Sequence, residues 1–349
     1  MNNDLLGDKY NQFISDPTKN PFTGRAIRAG GPIFKDLAKR AQDYYGLTLS
    51  MDIELCTLLT NKYTLLDIDN ETYGVDQKQQ RSNEDRYRIE RIGPFRYFAV
   101  FDGHGGAGLY RIKVIAAVDY CVQNLHIRIA KGLDGVDLSN SNEVISNLKT
   151  IIVNFDTEMY NNNIEGGTTI GIVLIDDCHD LIYQINVGDT RSIIFNDNRV
   201  ISVTKDHKPH YKSECDRIKK ADGIVQKWNT IYRLTTPLLG GGIAISRALG
   251  DFEFKFNKDI LYDPINGALS AVPDIKVRPK CPGYILITSD APFENNVYNN
   301  KTLVEIASSL LHTFGIQMPS IQDVVETMVD TISDNYKITD DITLMISLI

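Results

Sequence analysis

The sequence predicts an α+β fold in which antiparallel strands stack as a sandwich. Three observations predict it. Short apolar runs bounded by turn residues recur along the chain and read as strands. One polar loop, Asp177-Cys178-His179-Asp180, joins two such runs as a hairpin. Helical stripes come as neighbours, early and late, with strands between them, which is not the strict alternation of a parallel α/β fold.

Taken in order, residues 1–46 are turn-rich at Asn20-Pro21-Phe22-Thr23-Gly24-Arg25 and Gly30-Gly31-Pro32, and Ile33 to Tyr45 reads as a short helix. From about residue 60 the pattern is mixed. Strands are expected at Phe95–Phe101, Thr168–Ile175, Leu181–Val187, Ser192–Phe195, Tyr284–Thr288 and Asp341–Ile349. Leu109, Ile112, Ile115, Val118, Val122, Leu125 and Ile129 step by three or four, as do Leu303, Ile306, Ala307, Leu310 and Leu311. Ile321, Val324, Val325 and Met328 repeat the spacing, and all three stripes read as core faces of helices. The domain reading is an N-terminal extension over residues 1–50 and a larger domain over 51–349.

Composition bounds the function. With 349 residues, 42% of them hydrophobic and 23% charged, the chain can bury a sizeable core. The net charge of −8 argues against nucleic acid as a partner, since that needs a positive field. It leaves room for a phosphorylated substrate, because bound cations can supply local positive charge. Cys56, Cys121, Cys178, Cys215 and Cys281 form no C-x-x-C pair, which disfavours structural zinc and a disulfide framework and suits a reducing, cytoplasmic compartment. No run of about 18 apolar residues occurs, so no membrane span is expected, and the polar, acidic N-terminus does not resemble a signal peptide.

Acids stand at the ends of these apolar runs. Asp102 follows Phe95–Phe101 and opens Asp102-Gly103-His104-Gly105-Gly106; Glu84-Asp85, Asp189, Asp290 and Asp340-Asp341 hold comparable places. If the sheets stack, these ends converge into a set of hard oxygen ligands whose mutual repulsion calls for bound cations. Oxygen-only donors point to Mg²⁺ or Mn²⁺.

The ordered series Asn83-Glu84-Asp85, Asp102-Gly-His-Gly-Gly, Gly167-Thr-Thr, Asn186-Val-Gly-Asp-Thr-Arg191, Lys205-Asp-His-Lys-Pro209, Ile245-Ser-Arg-Ala-Leu-Gly-Asp251, Thr288-Ser-Asp290 and Asp340-Asp-Ile-Thr343 resembles the metal-dependent protein serine/threonine phosphatases of type 2C from about residue 70 onward. The resemblance implies a four-layer αββα sandwich of two antiparallel sheets flanked by helix pairs, with metals in a cleft at one end. It implies that Glu84, Asp102 and the Gly103 carbonyl hold one metal, that Asp102, Asp290 and Asp340 hold a second, with Asp85 in support, and that Asp189, Asp290 and Glu294 form a weaker third site. It further implies a metal-bridging water as nucleophile on phosphoserine or phosphothreonine in a protein substrate, with His104 as general acid. His104 could instead orient a ligand carboxylate. Lys205 to about Val225 matches the segment leading into a flap.

Four departures from the family pattern stand out. Gln80 occupies the place of a phosphate-binding arginine, with Arg81 one residue late, so the grip falls to Arg81, to Arg86 or to a lysine. Ala291-Pro292 replaces the usual glycine after Asp290, which puts the backbone there in question. Glu294 is one methylene longer than the usual aspartate, and Asp341 replaces asparagine. A catalytically silent phosphoprotein-binding module is the competing reading. Residues 20–45 also resemble a short adaptor-like module of large DNA viruses that usually carries cysteines; residues 1–46 carry none, and they serve either as a docking site for a protein partner or as an extension packed on the main domain.

Overall fold

The computed structural model describes residues 72–79, 84–104, 111–237, 241–257, 259, 261–313, 320–334 and 338–349. The expected helix over Ile33 to Tyr45, and Arg81, lie outside the described residues.

Two large antiparallel sheets organise the unit formed by Asp67–Arg91 and Phe95–Ile349. One has the order β1-β14-β13-β6-β7, built from β1 Tyr73–Lys78, β14 Ile342–Leu348, β13 Tyr284–Thr288, β6 Arg191–Asn196 and β7 Arg199–Val203. The other has the order β12-β5-β4-β3-β2, from β12 Asp274–Pro279, β5 Leu181–Val187, β4 Gly167–Asp176, β3 Phe95–His104 and β2 Asp85–Ile92; β11 Leu249–Gly250 also pairs with β4. A small third sheet joins β8 Ile224–Trp228, β9 Ile231–Thr235 and β10 Gly242–Ile243.

The two large sheets face each other across a dry layer. Phe98, Val100, Val173, Ile175 and Ile182 of one meet Ile194, Ile285, Ile287 and Met345 of the other. The outer faces are covered too. Helices α1 Arg111–Gly132 and α2 Ser141–Asn161 pack together, with α1 on β3 and β4. Helices α4 Asn300–Thr313 and α5 Ile321–Ser333 bury Leu303, Val304, Ala307, Val324, Val325 and Met328 against Leu286, Leu344 and Ile346. Double coverage explains why Tyr97–Phe101 reads as an unbroken apolar run: Tyr97, Ala99 and Phe101 are as fully buried as Phe98 and Val100 on the opposite face. A capping box at Ser320 and Asp323 starts α5. No helix among the described residues is long and apolar enough to cross a membrane.

The expected hairpin of β4 and β5 forms, with Ile175 opposite Ile182, and Asp180 takes a left-handed turn at φ 52°. One expectation is corrected. The strand expected over Phe95–Phe101 runs further: Asp102, Gly103 and His104 are its last three residues, paired with Thr169, Thr168 and Gly167. Here a Cβ on Gly103 would meet the Glu84 carbonyl, and one on Gly167 would meet the Asp251 carboxylate.

One buried ion pair ties α2 to the site. Lys255 and Asp156 are both fully buried, with Nζ donating to Oδ1 at 2.6 Å; Asp156 also accepts from the Gly250 amide at 2.8 Å and the Tyr262 hydroxyl at 2.7 Å. Lys255→Met leaves an uncompensated buried carboxylate and should cost about 3–5 kcal/mol. Urea denaturation checks this, and an unchanged midpoint would contradict it.

Candidate metal centre

Strand direction brings the acids together. Asp102 lies near the end of β3, Asp85 opens the neighbouring β2, Asp290 follows β13, and Asp340-Asp341 precede β14. Asp189 arrives by a different route. The chain leaves one large sheet at Val187 and enters the other at Arg191, so Gly188-Asp189-Thr190 spans the gap between sheets. Gly188 has φ 105°, which favours glycine, and a hydroxyl–hydroxyl bond of 2.5 Å between Thr169 and Thr190 holds the crossing.

Carboxylate oxygens of Asp102, Asp189 and Asp290 lie within 4.8 Å of one another. Asp189 is buried; the other two are half-buried. Desolvation, first, and neighbouring carboxylates push the Asp102 and Asp290 carboxyls well above their ordinary range; for Asp102 those neighbours are Asp85, Asp290, Asp189 and Asp340. Such crowding of hard oxygen donors fits a divalent cation. The amide of Glu84 donates to Asp341 Oδ2 at 3.1 Å, and its carbonyl accepts from Gly103 at 3.3 Å. A Cβ on Gly103 would stand 2.7 Å from that carbonyl, so only glycine lets the strand approach Glu84.

Asp85 is buried, and burial pushes its carboxyl up to about 8; Thr343 and Ser289 pull it down, and Asp341 and Asp340 raise it further. Between about pH 4 and 8 the folded chain therefore holds a proton that the unfolded chain releases, so stability without metal falls as pH rises through that window. Asp85→Asn should flatten the slope by up to about 1.4 kcal/mol per pH unit. Chelator-treated protein denatured at several pH values tests this; equal slopes would contradict it.

His104 has an acidic partner that sequence reasoning left without a role. Its Nε2 stands 2.6 Å from Asp251 Oδ2, and Asp251 is only 3% exposed. Burial pulls the imidazole pKa down, but the Asp251 charge and hydrogen bond outweigh it, and the net shift is upward. Asp251 sits in a left-handed conformation at φ 48°, its amide donating to the Gly166 carbonyl at 2.9 Å, and a Cβ on Gly167 would run into its carboxylate. The signal was present in Ile245–Asp251, as an acid directly after Gly250.

Glu294 turns aside: its Oε2 accepts from the Thr339 amide at 3.1 Å, although its charge still raises Asp290. The Ala291-Pro292 departure is absorbed without strain at Ala291. Asp290 has φ −78°, a short 3-10 turn follows, and positive φ falls instead at Asn295 and Asn296. Arg86 is engaged elsewhere, with Nε on Asp119 at 2.8 Å and Nη1 on the Asp85 carbonyl at 2.8 Å. Arg191 grips Asp206 with two bonds of 2.7 Å and lies 3.6 Å over the Phe293 ring. Lys208 reaches inward and pairs with Asp189.

Two facing antiparallel sheets, paired helices on both outer faces and a carboxylate cluster at one end define an αββα sandwich with an acidic centre. The chain belongs to the protein phosphatase 2C family, whose model matches residues 70–334. A 2-cysteine adaptor domain matches residues 11–40, where this chain has no cysteine. Human Protein phosphatase 1B is 30% identical over 67% of this chain and 47% of its own length. Xenopus laevis "Protein phosphatase 1K, mitochondrial" is 27% identical over 65% and 56%. The chain thus spans roughly half of these relatives. A phosphatase from a pathogenic strain of Toxoplasma gondii superposes with a TM-score of 0.63 at 21% identity, covering 79% of this chain and 93% of its own, and a C. elegans sex determining protein gives 0.65 at 16%, covering 99% and 80%. These two likenesses show the fold.

Proposed function

We propose that the chain is a metal-dependent protein phosphatase acting on phosphoserine and phosphothreonine. The observation that carries this reading is the convergence of Asp102, Asp189 and Asp290 from both sheets, within 4.8 Å, in a family of phosphatases. Their oxygens suit Mg²⁺ or Mn²⁺. Glu84, the Gly103 carbonyl and Asp102 are assigned to one cation, and Asp102, Asp290 and Asp340 to a second, with Asp85 in support. Asp189 and Asp290 are assigned to a weaker third, with Glu294 a lesser contributor because Thr339 engages it. Bound there, the cations would activate water and neutralise the phosphoryl oxygens of an in-line displacement.

The chain's own contribution is proton supply. A seryl or threonyl alkoxide leaves poorly, and His104, kept protonated to higher pH by Asp251, delivers the proton it needs. The phosphate grip is assigned to Arg81, the arginine nearest in sequence to the Glu84-Asp85 pair on its N-terminal side, Arg86 and Arg191 being engaged with acids. Residues 11–40 are assigned to docking a protein partner without help from thiols, as they resemble an adaptor domain yet lack its cysteines.

Hydrolysis of p-nitrophenyl phosphate and of a phosphothreonyl peptide with Mn²⁺ tests the activity. Turnover that is lost in Asp102→Ala is expected. Mn²⁺ binding with no turnover would favour the phosphoprotein-binding reading that Gln80 motivates.

A further inference from the structure

We propose that the Lys208 ammonium is a built-in counter-cation for Asp189, and that a third divalent ion enters this side of the cluster only by displacing it. The inference rests on the metal reading above. Lys208 Nζ donates to Asp189 Oδ2, and its charge also stabilises ionised Asp290. Asp189 is one of the three carboxylates that converge, so Lys208 is bonded to a prospective ligand residue.

The backbone holds Lys208 in this place. The His207 amide donates to the Gly188 carbonyl at 2.9 Å, and the Gly188 amide donates back to His207 Nδ1 at 3.0 Å. The Ser246 amide donates to the His207 carbonyl at 2.9 Å, Asn186 Nδ2 to the Lys205 carbonyl at 3.0 Å, and Asp206 is clamped by Arg191. The residues before Lys208 are thus bonded to the very turn that carries Asp189, so the ammonium's reach is set by the fold. Only 27% of the Lys208 side chain and 5% of the Asp189 side chain are exposed.

An ammonium has no lone pair to offer a metal, and at contact distance it repels one. Lys208 and a divalent ion therefore oppose each other at Asp189. The monovalent occupant lowers the affinity of this side for a third ion relative to the Asp102 centre. Its release frees a side chain on the segment that leads into α3 (Lys212–Lys220).

Calorimetric titration of the full chain with Mn²⁺, wild type against Lys208→Met, reads the displacement directly. The variant should bind the weakest ion about tenfold or more tightly, the effect of removing roughly 1.4 kcal/mol or more of opposition, with smaller change at the tighter sites. Lys208→Gln provides a second variant should the first fail to fold. In wild type, NMR of ¹⁵N-labelled lysine ammonium groups during Mg²⁺ titration should show a protected Lys208 signal that disappears as the weakest site fills. Equal or weaker binding of the last ion in both variants, or a Lys208 signal that persists at saturation, overturns the inference while leaving the metal reading intact. No Mn²⁺ uptake by wild type overturns both.

Discussion

Asp102→Asn should make the metal-free protein more stable while abolishing its response to Mn²⁺. Both effects come from the same crowding. Asp102 stands among Asp85, Asp189, Asp290 and Asp340, and desolvation together with their charge holds its carboxyl well above the ordinary range. Keeping it ionised at neutral pH therefore works against folding. Asparagine preserves the shape and removes the charge, which should gain roughly 1–3 kcal/mol, or several degrees in melting temperature. The same change removes the carboxylate assigned to both cations, so hydrolysis should fall by at least ~10³-fold. Thermal melts with and without Mn²⁺ read both signs. A variant that melts lower without metal, and still gains stability from Mn²⁺, would contradict the assignment.

Asp251→Asn should separate substrates by the quality of their leaving group. The carboxylate holds His104 through Nε2 and raises its pKa. Without it the imidazole loses its proton at lower pH, and the alkaline limb of the pH–rate profile moves toward acid. Loss of proton donation should cost about 10²–10⁴-fold on a phosphoseryl peptide, whose alkoxide must be protonated. p-Nitrophenolate leaves without that help, so turnover of p-nitrophenyl phosphate should fall by less than about tenfold. The ratio of the two losses is the readout, because a damaged fold would lower both alike. Equal losses would assign Asp251 to structure alone.

The cores were legible because periodicity reports burial. Phe95–Phe101, the β4–β5 hairpin and the stripe through Val324, Val325 and Met328 fell where expected. The acids were legible one by one, since each ends an apolar run, and family order assembled them into one set. Several elements left no such mark. Strands β1 and β2 carry Asp76, Lys78, Arg86, Arg88 and Glu90 and are only partly buried, so they lack a clean apolar alternation. The small sheet exposes Ile224, Trp228 and Ile231, and its strand character comes from cross-strand pairing. The extension of β3 through His104 was hidden for a related reason: Gly103 and Gly167 look like turn residues until their partners are known. Asp251 and Lys208 were visible as residues, but their roles depend on where His104 and Asp189 are brought, and no local pattern encodes a contact between residues 104 and 251.

The most direct measurement of the central claim is anomalous diffraction from crystals grown with Mn²⁺. Two strong peaks should flank Asp102, one toward Glu84 and one toward Asp290 and Asp340, with a weaker third beside Asp189. Ordered carboxylates at that end of the sandwich with no anomalous peak among them, at millimolar Mn²⁺, would contradict it.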